Sequence, residues 1–178
     1  APEFLRTHPV TVNRIAETRE RADSLPRPEV RDAAGYSLTR ARIRVLSAST
    51  PQKALEFFLG EQQNPKSVGN LGTDYGIALV RMQLGEYGAA RDLFQSLRAA
   101  HPGTIPFHTG LANAELALGN KSQALSIYDQ AMALFPRNVP LTVRYAEALL
   151  ANGDAKKAHN ILLDLLNNVP PTAQQVRL

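Results

Sequence analysis

The chain has 178 residues, with 20 lysines and arginines against 16 acids for a net charge of +4, which is enough length for one domain with a sizeable core. No cysteine is present, which excludes a disulfide scaffold or a thiolate zinc site but fits either redox compartment. No segment reaches the roughly 18-residue apolar run of a membrane-spanning helix, and a 44% hydrophobic share with only 6% aromatics suits helices packed through alanine and leucine.

Charge is unevenly spread. Residues 1–50 hold nine arginines, no lysine and six acids, with Arg40, Arg42 and Arg44 as the densest cluster. Acids are interleaved upstream and no aromatic platform accompanies the arginines, so they read as a solvated helix surface rather than a nucleic-acid patch. The chain begins at Ala1 with no initiator methionine and no signal segment, which predicts a processed or excised piece. Residues 1–30 form a lead segment and linker. Pro9 cannot continue a helix, and Thr11 is an N-cap candidate for a helix running to Asp23 whose positions are dominated by arginine and glutamate. Leu25-Pro26-Arg27-Pro28 then reads as a stiff connection, because two prolines fix φ.

Paired helices follow over residues 31–178. The first pair, 32–47 and 51–64, belongs to a degenerate unit spanning 32–68. Thr50-Pro51 supplies an N-cap and first-turn proline, with Ala54 and Phe58 as a small-then-large pair. Three regular units span 71–104, 105–138 and 139–172. Their first (A) helices are expected at 71–84, 105–118 and 139–152, and their second (B) helices at 87–101, 121–135 and 155–168. Gly85, Gly119 and Gly153 stand 34 residues apart, as do Ala90, Ala124 and Ala158, and Pro102, Pro136 and Pro170. The glycines mark where the chain leaves each A helix in a left-handed conformation. Asn120 and Asp154 are then expected to cap the B helices, and Glu86 to favour the helix dipole. The alanines mark close helix approach, and Phe94, Tyr128 and Leu162 fill the adjoining space four residues on. Residues 173–178 carry the start signals of a further unit and stop after less than two turns. A 34-residue period with a mid-unit small residue and a closing proline is the mark of the tetratricopeptide (TPR) repeat. The fold expected is an all-α, right-handed superhelical TPR solenoid, an architecture whose usual work is binding polypeptides.

No HExxH pair, cysteine nucleophile, glycine-rich phosphate loop or GxSxG elbow is present, so the fragment carries no catalytic site and no cofactor site of its own. His101, His108 and His159 lack a second ligand at useful spacing and read as structural or surface residues. The segment Pro2-Glu3-Phe4-Leu5-Arg6-Thr7-His8-Pro9, followed by Arg14-Ile15-Ala16, resembles the end of the peptidase domain in periplasmic zinc metallopeptidases of the BepA/YfgC type. That family joins an HExxH peptidase domain to C-terminal TPR repeats through a similar THP…RIA segment. The resemblance covers the whole chain. It implies a parent HExxH zinc metallopeptidase, periplasmic location, and work in outer-membrane protein assembly and quality control. It also implies that His8 is a latent zinc ligand in the parent and that Arg14 pairs with a carboxylate near the metal. Read from the residues alone, His8 orders a His-Pro turn.

In a TPR stack the A helices line the concave groove. Counting from Leu71, Ile105 and Val139, the groove is expected to present Tyr75, Leu79, Met82 and Gln83, then Thr109, Asn113 and Leu116, then Val143, Arg144, Glu147 and Leu150. This mostly apolar or neutral set lacks the lysines with which some TPR proteins grip an acidic chain end. Only Arg144 agrees with that pattern, so a carboxylate-gripping groove is not expected. Asn113 and Gln83 are placed for backbone contacts, and Gly72, Gly76 and Gly110 are expected to admit close approach by whatever fills the groove. The partner expected is a protein or peptide segment: outer-membrane assembly machinery, unfolded β-barrel clients, or the protein's own peptidase domain. Neither nucleic acid nor a direct membrane span is expected. A free-standing TPR adaptor with no enzymatic parent is the alternative.

Overall fold

The structure, a computed structural model, describes residues 11–24, 34–64 and 70–168. The chain divides into two compact units, residues 1–33 and 34–178. In the first unit, helix α1 runs Thr11–Ser24, one residue past the expected end. The remaining members of that unit, including His8 and the Pro26–Pro28 linker, lie outside the described residues, as do 169–178 with Pro170 and the predicted further unit.

Among its described residues the second unit consists of helices joined by short turns: α2 Ala34–Ser47, α3 Pro51–Gln63, α4 Leu71–Gln83, α5 Tyr87–Ala100, α6 Ile105–Ala117, α7 Lys121–Leu134, α8 Val139–Ala151 and α9 Ala155–Asn168. Helices α2, α4, α6 and α8 are A helices; α3, α5, α7 and α9 are B helices. Each pairs with its successor along the chain, and each B helix from α3 on also packs against the A helix that follows. This nesting of hairpins is an all-α TPR solenoid.

Local chemistry accounts for the joints. Gly85, Gly119 and Gly153 have φ of 78, 82 and 87°, a left-handed conformation that a Cβ disfavours. Ala90, Ala124 and Ala158 are buried where A and B helices approach. Thr50 accepts from the Lys53 amide at 3.3 Å ahead of Pro51, and Asp154 accepts from the Lys157 amide at 3.1 Å. Asn120 departs from expectation. Its side chain makes no cap hydrogen bond; its Nδ2 instead donates to Glu115 Oε2 at 2.7 Å, drawn back across the turn by a carboxylate. Glu86 also makes no cap hydrogen bond, and pairs with Arg81 at 2.7 Å.

The tight glycines serve the stack itself, and Gly110 borders the groove as well. Phe58 of α3 lies against Gly76 of α4, where a Cβ would sit 2.7 Å from Phe58 Cε2. Phe94 of α5 lies against Gly110 of α6 in the same way, 2.6 Å from Cδ1 and Cζ. Gly72 lets α4 approach the backbone of α2, where a Cβ would meet the Ser37 carbonyl oxygen at 2.7 Å. At these two joints, α3–α4 and α5–α6, one B-helix ring thus seats on a Cβ-free patch of the next A helix.

The third joint lacks that glycine. Arg144 occupies the position 34 residues beyond Gly110, and Tyr128 cannot seat as Phe94 does. Its ring stacks on Tyr145 at 5.4 Å and 15°, and α7 and α8 pack less closely than α5 and α6. The first hairpin also differs from the others: α2 packs mainly on α4 and only lightly on α3.

Candidate functional site

Four A helices border one groove. Its lining residues come from α2, α4, α6 and α8, and it is an open groove with about 430 Å³ of space for water-sized groups. Because α2 and α8 make no contact with each other, they form opposite walls, with α4 and α6 as the floor. Of the expected groove residues, Tyr75, Leu79, Met82, Gln83, Thr109, Asn113 and Arg144 line it. Leu116, Val143, Glu147 and Leu150 do not. As a wall, α8 turns Pro140, Leu141 and Arg144 inward; Val143 and Leu150 fall on helix positions rotated away from that flank, while Glu147 shares the face of Arg144 one turn further along and pairs with it. Leu116 is half-buried against the core.

The α2 wall lies outside the expected set. Arg42, Val45 and Leu46 line the groove, placed there because α2 leans on α4. The signal for them in the sequence is weak: the unit containing α2 is degenerate, and its Ala54 precedes Ala90 by 36 residues rather than 34. Pro106 and Ile105 from the first turn of α6 complete the apolar floor together with Leu79 and Met82.

Polar groups in the groove are partly committed. Tyr128 donates its hydroxyl to Asn113 Oδ1 at 2.8 Å, and burial pushes its phenol up to about 12. Asn113 is therefore only half available, contrary to expectation: its oxygen is held, and its amide nitrogen has no partner among the described residues. Thr109 turns its hydroxyl back onto the Ile105 and Pro106 carbonyls, at 3.3 and 3.1 Å, so its donor is used locally. Burial raises the Tyr75 phenol above its usual value, while the Arg42 guanidinium beside it acts the other way. Arg144 pairs with Glu147 at 3.3 Å, both well exposed.

Away from the groove, His108 is buried, donates Nε2–H to the Pro102 carbonyl at 2.8 Å and packs edge-on to Phe135. It is a packing residue. Tyr145 donates to Asp129 at 2.6 Å, which Lys157 also meets at 3.0 Å; this network ties α7, α8 and α9. No group of three or more His, Cys, Asp or Glu side chains among the described residues is arranged to hold a metal ion, so these residues do not fit zinc, and His8 lies outside them. No helix among the described residues is long and apolar enough to cross a membrane.

Comparison with known proteins agrees with this geometry. The tetratricopeptide repeat matches residues 73–104 and 122–178. These hairpins are TPR repeats. A TPR domain is a protein–protein interaction module, which places interest on the groove rather than on reactive side chains. The chain is 31% identical over 102 residues to the beta-barrel assembly-enhancing protease of Escherichia coli K12, covering 57% of this chain and 21% of that protein. The Yersinia pestis protein of the same name is 28% identical over 106 residues, covering 60% and 22%. The chain thus spans about a fifth of the length of these curated relatives. Among solved structures, TTC0263, a thermophilic TPR protein of Thermus thermophilus, superposes with a TM-score of 0.62 at 22% identity, over 76% of this chain and 74% of that one. The type III secretion translocator chaperone SycD of Yersinia enterocolitica gives 0.50 at 26% identity, over 60% and 83%.

Proposed function

We propose that this chain is the protein-interaction part of a periplasmic metallopeptidase and chaperone, and that its TPR groove recruits outer-membrane assembly machinery or unfolded β-barrel clients. The zinc-dependent chemistry would belong to an HExxH domain outside this chain, with His8 its latent ligand. The observation that carries the reading is the conjunction of a preformed groove on the A helices with 31% identity to the beta-barrel assembly-enhancing protease. A groove with an apolar floor and a few oriented polar groups is the usual form of a peptide site. Photo-crosslinking in cells from Gln83, Asn113 and Arg144 tests it. Capture of a β-barrel assembly factor or an outer-membrane client from these positions is the expected result. Recovery of the protein's own chain alone from all three would defeat the recruiting role.

A second reading, a free-standing TPR adaptor, is favoured by the fit to SycD, 83% of whose chain is covered. The two are separated by the coding sequence upstream of Ala1: an HExxH-encoding frame supports the first, its absence the second.

A further inference from the structure

The groove's chemistry narrows what fills it, given the reading of the groove as a polypeptide site. Its lining holds two arginines, Arg42 on one wall and Arg144 on the other, and no acidic residue. Arg42 has no ion pair among the described residues, and Arg144 has only the exposed Glu147, which lies outside the lining. The Asn113 amide adds a donor rather than an acceptor. Tyr128 occupies Asn113 Oδ1, which fixes the amide so that Nδ2–H is the end left for a ligand. Arg42, Arg144 and the Asn113 amide nitrogen border a floor of Leu79, Met82 and Ile105.

The layout of an apolar floor between two walls that each carry an arginine sets the form of the guest. An extended strand places successive side chains on opposite faces, so one set can rest on the floor while the other points up between the walls, towards the long side chains of Arg42 and Arg144. We propose that the occupant is an extended segment of a partner polypeptide that alternates apolar and acidic side chains, with its carboxylates met by Arg42 and Arg144 and its backbone carbonyls by Asn113 Nδ2. This differs from a chain-end grip: the two cations stand on separate walls, so in-chain carboxylates are what they suit.

Isothermal titration calorimetry of the 178-residue chain against blocked octapeptides tests the assignment. The probes alternate leucine with aspartate, glutamine or lysine; a fourth is the leucine–glutamine peptide with a free C-terminal carboxylate. The aspartate peptide is expected to bind about tenfold tighter than the blocked glutamine one, and the lysine peptide weakest. Arg42→Ala and Arg144→Ala each weaken the aspartate peptide by about fivefold, the upper range for an exposed charge pair, and leave the glutamine peptide within about twofold. Both side chains are exposed, so the variants keep the fold, which circular dichroism verifies. Arg42→Glu with Arg144→Glu is expected to reverse the preference towards lysine. Equal binding of the glutamine or lysine peptide, an aspartate advantage that survives both alanine variants, or binding of the free-ended peptide alone would overturn the acidic-segment assignment. In those cases Leu79→Lys should still abolish binding, and the groove reading stands. Silence from every peptide removes both.

Discussion

Replacing Gly110 with alanine tests the packing logic that builds the groove floor. Alanine normally stabilises a helix interior over glycine by about 0.5–1 kcal/mol. At Gly110 the added Cβ would sit 2.6 Å from Cδ1 and Cζ of Phe94, well inside the carbon contact distance of about 3.5–4.0 Å. The Phe94 ring is fully buried and packed edge-on to Tyr75, so it cannot swing aside freely. Overpacking of this kind costs about 1–3 kcal/mol. The net expectation is a loss of roughly 1–2 kcal/mol, the overpacking cost less the helix gain. Gly60, within α3, has nothing within 4 Å of its virtual Cβ, and Gly60→Ala should stabilise by about 0.5–1 kcal/mol. Urea unfolding of the two variants should therefore give opposite signs. Pairing Gly110→Ala with Phe94→Leu should recover part of the loss, with a coupling of at least ~0.5 kcal/mol. A stabilised Gly110→Ala, or strict additivity with Phe94→Leu, would refute the ring-on-glycine account.

The other joints and caps make their own predictions. Arg137 has φ 58° in the turn before α8, a conformation that costs an L-residue about 1–2 kcal/mol; Arg137→Gly should raise stability by about 0.5–1 kcal/mol in the same urea assay, since its ion pair with Asp164 at 3.7 Å is exposed. Asp154→Ala removes a working cap and should cost about 1 kcal/mol, whereas Glu86→Ala, with no cap bond to lose, should change stability by less than about half of that. Tyr128 and Tyr145 are pushed up to about 12, chiefly by burial. A raised folded pKa means their contribution is complete below pH 10 and is lost as pH climbs through about 12. Stability should be flat approaching pH 10 and then fall, with a late phenolate absorbance step that is absent from Tyr128→Phe/Tyr145→Phe.

What was legible in the chain is what depends on local backbone chemistry. Left-handed residues after α4, α6 and α8 demand glycine at a fixed interval, so Gly85, Gly119 and Gly153 disclose the helix boundaries to within a residue or two. The A-helix register puts Tyr75, Leu79, Thr109 and Asn113 on the face that borders the groove. Contacts between hairpins were harder to read. That Gly76 and Gly110 seat Phe58 and Phe94 is a contact between hairpins that no single helix pattern discloses. Arg42 belongs to the groove only because α2 lies on α4 more than on α3, a tertiary choice that no period records. The partnership of Tyr128 with Asn113 follows from Arg144 standing where Gly76 and Gly110 do, which denies Tyr128 the seat its predecessors use. On α8, Pro140, Leu141 and Arg144 line the groove while Val143 and Leu150 turn away from that flank and Glu147 stands one turn beyond Arg144.

The claim that the A-helix face receives a polypeptide is tested most directly by residue-resolved NMR of the isotopically labelled chain titrated with the blocked leucine–aspartate octapeptide. The account predicts that the largest shifts fall on Arg42, Leu79, Gln83, Asn113 and Arg144, with the outward-facing residues of α5, α7 and α9 unmoved. Shifts concentrated on those B helices, with the groove signals unchanged, would contradict it.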